Sequence, residues 1–188
     1  MKRPVFFLSL LLVADVQGAS VTPGDSIYQL PLTLTTQDNQ RRGLDLYSGK
    51  VTLVTMFYAS CPNVCPLLVS TLQQIDRQLS PERRQQMRVL LVSIDPKRDT
   101  PAALAELAAA HHLDLSRWSV TQTSAAEVRQ LAAVLGIQYR ELPDENFNHS
   151  SVITLLDRQG RIVGRTSILG RIEPEFLKQL KSALQAGK

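Results

Sequence analysis

A chain of 188 residues, 44% hydrophobic and 20% charged, is long enough for one domain with a full apolar core and lacks the composition of a disordered segment. Its formal charge of +4 is a mild excess spread along the chain. The basic pairs Arg41-Arg42 and Arg83-Arg84 are not interleaved with aromatic residues, so nucleic-acid binding has little support and solvated surface is the better reading of both.

Met1-Lys2-Arg3 is followed by an apolar run over residues 5–14, broken only by Ser9, and then by Val16-Gln17-Gly18-Ala19-Ser20. A basic start, a short apolar segment and small residues at a cleavable position describe a secretory signal over residues 1–18, cut after Gly18 or Ala19. The run falls short of the roughly 20 residues that span a bilayer. The expectation is a soluble, periplasmic or otherwise exported domain over residues 19–188, without stable membrane insertion and in a compartment where free thiols meet oxidising conditions.

Residues 27–34 read as a strand and 37–43 as a polar turn. The β-branched run 51–58 reads as a strand buried on both faces. Leu67, Leu68, Leu72, Ile75 and Leu79 then repeat at helical spacing until Ser80-Pro81. Residues 89–94 form a second buried strand. Asp99 or Thr100 can cap the helix that Pro101 opens and the alanine-rich stretch to 112 continues. A short strand over 118–121 follows, then a helix from Ser124 to Leu135 closed by Gly136. Strands over 152–156 and 162–167 flank the hairpin turn Asp157-Arg158-Gln159-Gly160, and 173–184 is a terminal amphipathic helix. Strands alternating with helices, then a hairpin and a helix, describe an α/β sandwich of the thioredoxin type: three layers around a central mixed β-sheet.

The chain has two cysteines, Cys61 and Cys65, at the junction between the first buried strand and its helix. A helix N-terminus favours the thiolate, and residues four apart on a helix share a face. The pair can therefore grip one soft metal ion or cycle through a disulfide. A purely structural staple is the weaker reading, because so short a loop constrains the unfolded chain little. Met56 reads as core and Met87 is isolated, so no methionine cluster suggests a further soft-metal site. His111 and His112 are adjacent, cannot share a helix face, and read as surface residues near a helix end. Phe57 and Tyr58 read as packing residues, and Asp95 and Asp99 can hydrogen-bond around the cysteine loop. His149 immediately precedes a core strand, where a lone histidine is commonly structural.

Three ordered motifs resemble the Sco/SenC family: Cys61-Pro62-Asn63-Val64-Cys65-Pro66, then Ser93-Ile94-Asp95-Pro96-Lys97-Arg98-Asp99-Thr100-Pro101, then His149-Ser150 before a strand. The resemblance spans roughly residues 25–186. It implies a thioredoxin-like copper protein that helps assemble the copper centre of cytochrome c oxidase, with Cys61, Cys65 and His149 as metal ligands. Two thiolates and one imidazole suit Cu(I) first and Cu(II) second, whereas structural zinc takes four protein ligands. The implied partners are the copper-bearing oxidase subunit or another copper acceptor, and a thiol-disulfide reductant. Where the family often carries Asp, this chain has Asn63 and Asn148, which makes the site less negative. The rival reading is a thiol-disulfide oxidoreductase in which Cys61 and Cys65 are the redox-active pair. Against it, His149-Ser150-Ser151 occupies the stretch where thioredoxin-type reductases place a cis-proline. A peroxidase reading is weaker, since Ser60 is not equivalent to the serine or threonine such a site needs.

Overall fold

The computed structural model describes residues 24–61 and 64–186, so the leader over 1–18, its cut site, and Pro62 and Asn63 lie outside the described residues. Nine strands and five α-helices are described: β1 (Leu34–Thr36), β2 (Arg41–Arg42), β3 (Val51–Phe57), α1 (Val64–Arg77), α2 (Pro81–Arg84), β4 (Met87–Ser93), α3 (Pro101–Ala110), β5 (Trp118–Gln122), α4 (Ala125–Leu135), β6 (Tyr139–Glu141), β7 (Phe147–His149), β8 (Ile153–Leu156), β9 (Ile162–Thr166) and α5 (Pro174–Gln185).

Seven strands form one mixed sheet in the order β2-β1-β5-β4-β3-β8-β9. β3, β4 and β5 are parallel, while β1, β8 and β9 run antiparallel to their neighbours. Every residue of β3 is buried, as its unbroken apolar and β-branched run requires of a strand covered on both faces. The crossovers β3-α1-β4 and β4-α3-β5 step in the same direction, so the right-handed rule puts α1 and α3 on one face, and Gln73 of α1 donates to the His111 carbonyl at the end of α3 (2.8 Å). In β9, Gly164 packs against Gln179 of α5 while the next residue, Arg165, reaches the Leu135 carbonyl that ends α4. Adjacent strand residues face opposite sides, so α4 and α5 cover opposite faces and the sandwich has the three layers expected of a thioredoxin-like fold.

Local signals explain the helices. Ser124 and Glu127 form a capping box on α4, and Gly136 closes it at φ 71°, a left-handed position that glycine takes without penalty. The expected strand over 27–34 is not one. Ser26 caps a 3-10 turn over Ile27–Gln29, accepting from the Tyr28 N–H (3.2 Å), and Pro31 has no N–H to offer a ladder, so the strand begins only at Leu34. The polar turn after it carries β2, paired with β1. A second difference matters more for function. β6 and β7 pair with each other alone, Tyr139 opposite His149, as a small sheet outside the main one. Among the described residues no helix is long and apolar enough to cross a membrane.

Candidate metal centre

β3 delivers the chain to the site. Beyond Phe57 the backbone turns through Tyr58, Ala59 and Ser60 to Cys61, whose N–H donates to the Tyr58 carbonyl (3.2 Å), and α1 then begins with Cys65 in its first turn. The turn is bolted to β4 by Asp99. Its Oδ2 accepts from the Ala59 N–H (3.0 Å) and from the Ser93 hydroxyl (2.5 Å). Burial raises the Asp99 pKa, and the bonds from Ser93 and Ala59 oppose that rise. Thr100, not Asp99, caps α3, its side chain accepting from the Ala103 N–H (3.3 Å). Of the two readings the sequence left open for Asp99, the one around the cysteine loop is therefore realised.

Asp95 does something else. It binds Arg98, whose guanidinium also donates to the Glu145 carbonyl and lies over the Phe147 ring at 5.9 Å from its centroid. Arg98 thereby clasps the β6-β7 hairpin to the loop after β4. Tyr58 meets the same Phe147 ring at 5.4 Å and the His149 ring edge-on at 5.7 Å. The Tyr58 hydroxyl donates to the Phe147 carbonyl (3.4 Å). It also hydrogen-bonds the Cys61 side chain, and burial raises its pKa. The sequence reading assigned Tyr58 to packing alone. Here it touches both a candidate cysteine ligand and the histidine, and only the adjacency of an aromatic to the cysteine loop could have marked it.

His149 ends β7 and so comes to the site on the small sheet, not on the core strand it precedes in sequence. Its Nδ1 faces the Ser150 carbonyl at 3.3 Å. With the proton held there, Nε2 keeps the lone pair that a metal needs. Burial pulls the His149 pKa below its ordinary value, so the ring is neutral at pH 7. The ligand atoms of Cys61, Cys65 and His149 all lie within 4.8 Å of one another, the one such group of His, Cys, Asp or Glu among the described residues. A trigonal ion with metal-sulfur bonds of about 2.3 Å places its ligand atoms about 4 Å apart, so the donor set fits with a small contraction. Both cysteines are buried, and no disulfide joins them.

One expectation is reversed. The helix N-terminus was expected to lower the cysteine pKa, yet Cys65 is pushed up to about 12. Burial is the main cause, a hydrogen bond with the Tyr58 backbone opposes it, and nearby negative groups at Cys61 and Asp99 add to it. The Cys65 sulfur therefore holds its proton at neutral pH. His111 and His112 lie at the end of α3, outside the cluster; Met56 is fully buried in the core as expected, and Met87 is buried there too. Asn148 is exposed and pairs with Arg140 across the hairpin.

Comparison with known proteins gives a consistent picture. The SCO1/SenC family model matches residues 21–185. A SCO1 protein homolog of Bacillus subtilis is 24% identical over 136 residues, covering 71% of this chain and 70% of the relative, while other relatives are covered over 36% and 65% of their length. The structure of Bradyrhizobium japonicum ScoI with copper bound superposes with a TM-score of 0.69 at 24% identity, covering 81% of this chain and 96% of that one. The structure of BsSco, described with its disulfide switch as a member of the Sco family of cytochrome c oxidase assembly proteins, gives 0.68 at 23% identity, covering 81% and 90%. At such identities the two structures share the fold.

Proposed function

This chain belongs to the SCO1/SenC family, and from that premise we propose that it is an exported copper-binding metallochaperone that carries copper to, or prepares, the copper centre of a cytochrome c oxidase. The observation that carries this reading is the convergence of Cys61, Cys65 and His149 within 4.8 Å. Two sulfurs and one imidazole nitrogen make a soft, three-coordinate set that suits Cu(I) and admits Cu(II) through the imidazole. The copper bound in the Bradyrhizobium structure and the oxidase assembly role stated for the family of BsSco support the same reading.

Each neighbour has a part in holding this cargo. Asp99 fixes the turn that presents Cys61, Ser150 fixes the His149 tautomer, and Tyr58 ties the cysteine loop to the hairpin. Copper displaces protons from buried thiols, which couples its affinity to pH. The Cys65 thiol stays protonated far above neutrality, so each pH unit gained favours the bound form. Apparent Cu(I) affinity should therefore rise about tenfold per pH unit for each proton released, roughly a hundredfold or more between pH 6 and 8. His149 is already neutral at pH 7 and adds a further loss only on acidification. Competition titration against a chelator of known pH response measures this slope, and a flat profile would mean that Cys65 is not a ligand.

Export rests on the leader over residues 1–18, and the exported dithiol then needs a thiol-disulfide reductant to stay competent for metal. Delivery is tested by mixing copper-loaded protein with the metal-free copper-bearing domain of the oxidase and separating the two. Copper should move to the oxidase domain; retention on this protein would limit its role to binding. The thiol-disulfide oxidoreductase remains the second reading, favoured by two cysteines not joined by a disulfide whose sulfur atoms lie within 4.8 Å. The high Cys65 pKa makes that sulfur a poor attacking thiolate. Catalytic turnover of a disulfide substrate that is indifferent to His149→Ala would favour this reading over the first.

A further inference from the structure

The end of the sheet opposite the cysteine loop is a pole of unpaired basic side chains. Val51 and Met87 are neighbours where β3 and β4 begin, and β3 runs seven residues, about 20 Å, from there to the metal centre. Hydrogen bonds join the basic residues into one surface around that start. Arg84 donates to the carbonyls of Asp76, Leu79 and Arg77, and Arg88 to those of Gln85 and Met87. Arg158 donates to the Gly49 carbonyl (3.0 Å) and to Gln86 Oε1 (2.8 Å), and the Gln86 carbonyl accepts from the Val51 N–H. Lys50, Arg77, Arg83, Arg84, Arg88 and Arg158 thus lie together, and none of them takes part in an ion pair among the described residues. Of the nearby carboxylates, Asp76 pairs with Arg117 and Asp157 with Arg161, while Glu82, hydrogen-bonded to Ser80, keeps its charge against the six basic groups. The sequence alone read Arg83-Arg84 as ordinary solvated surface, because the fold is needed to bring the other four beside it.

A second observation says what this pole faces. The described chain begins beside it: Ser26 donates to the Gln159 carbonyl (2.5 Å) and the Ile27 N–H to the Gly160 carbonyl (3.0 Å), in the turn that carries Arg158. Upstream in sequence is the apolar run over residues 5–14, and the stretch from there to Gly24 reaches at most about 36 Å. Before the leader is removed, the chain therefore enters the domain beside this pole.

We propose that the arginine-rich pole formed by Lys50, Arg77, Arg83, Arg84, Arg88 and Arg158 is a docking surface for anionic phospholipid membranes, and that docking points the Cys61, Cys65, His149 centre away from the bilayer. The contact is electrostatic and peripheral, so it persists after removal of the leader and weakens with salt. It requires no copper. Each basic side chain at an anionic surface multiplies partitioning roughly fivefold.

The test is vesicle co-sedimentation of the metal-free protein purified after export. Binding is expected to phosphatidylglycerol-containing vesicles in low salt, not to pure phosphatidylcholine, and is lost in high salt. Joint substitution K50Q, R77Q and R83Q should lower partitioning roughly a hundredfold. R41Q with R42Q, on the edge strand away from the pole, should leave it unchanged. Should the triple variant unfold, R77Q alone changes an exposed side chain and should read roughly fivefold. The proposal is overturned if wild-type protein ignores anionic vesicles in low salt, or if the triple variant binds as wild type does. Equal losses from R41Q with R42Q, or displacement from vesicles by equimolar nucleic acid, overturn it as well.

Discussion

Cys65→Ala is expected to abolish stoichiometric copper binding while leaving the fold intact. Cys65 supplies one of three donor atoms, and nothing else among the described His, Cys, Asp and Glu residues stands close enough to replace it. If each ligand carries on the order of 3 kcal/mol of apparent metal affinity, the loss is at least a hundredfold. Alanine is the right replacement, because serine would put a hydroxyl into a site where Cys65 is 3% exposed. The small cavity left costs on the order of 1 kcal/mol, a shift of a few degrees in thermal midpoint. Competition titration with a Cu(I) chelator, with the midpoint measured alongside, separates the two effects. A variant that keeps wild-type affinity would remove Cys65 from the site.

His149→Ala should split the two oxidation states of copper. The cysteine thiolates alone still hold Cu(I), so binding of that ion stays measurable. Cu(II) favours imidazole, and without it the two thiolates tend to reduce the ion, so the thiolate-to-copper charge-transfer absorption should disappear. Removing the ring also takes away the edge contact with Tyr58 at 5.7 Å, worth about 1 kcal/mol. An unchanged Cu(II) spectrum would make His149 a packing residue of the hairpin.

The parts of the fold that were legible in the sequence are those whose local chemistry and burial agree. β3 is an unbroken run of apolar and β-branched residues and β4 is apolar from Val89 to Val92, both buried in the sheet, and Ser124, Glu127 and Gly136 bound α4 as their capping chemistry dictates. Residues 27–34 misled because their apolar side chains are buried by a 3-10 turn before Pro31, and hydropathy alone does not separate that from a strand. The β6-β7 hairpin escaped notice because its strands are three residues each, too short for the alternation of half-buried Phe147 and His149 around exposed Asn148 to stand out. That omission hid how His149 reaches the site. The three candidate ligands come together as the motifs implied, but the roles of Tyr58 and Arg98 depend on contacts with the hairpin that only the folded chain creates. The direction of the Cys65 pKa was also out of reach, because position at a helix start was visible and depth of burial was not.

The central claim is that one copper ion is held by Cys61, Cys65 and His149 together, and anaerobic Cu(I) titration with the free thiols counted before and after tests it most directly. The reduced protein should saturate at one copper per monomer, with two reactive thiols before loading and none protected only by oxidation afterwards, both returning when a strong chelator strips the metal. Saturation with both thiols still freely reactive, or the absence of tight binding by fully reduced protein, would contradict it.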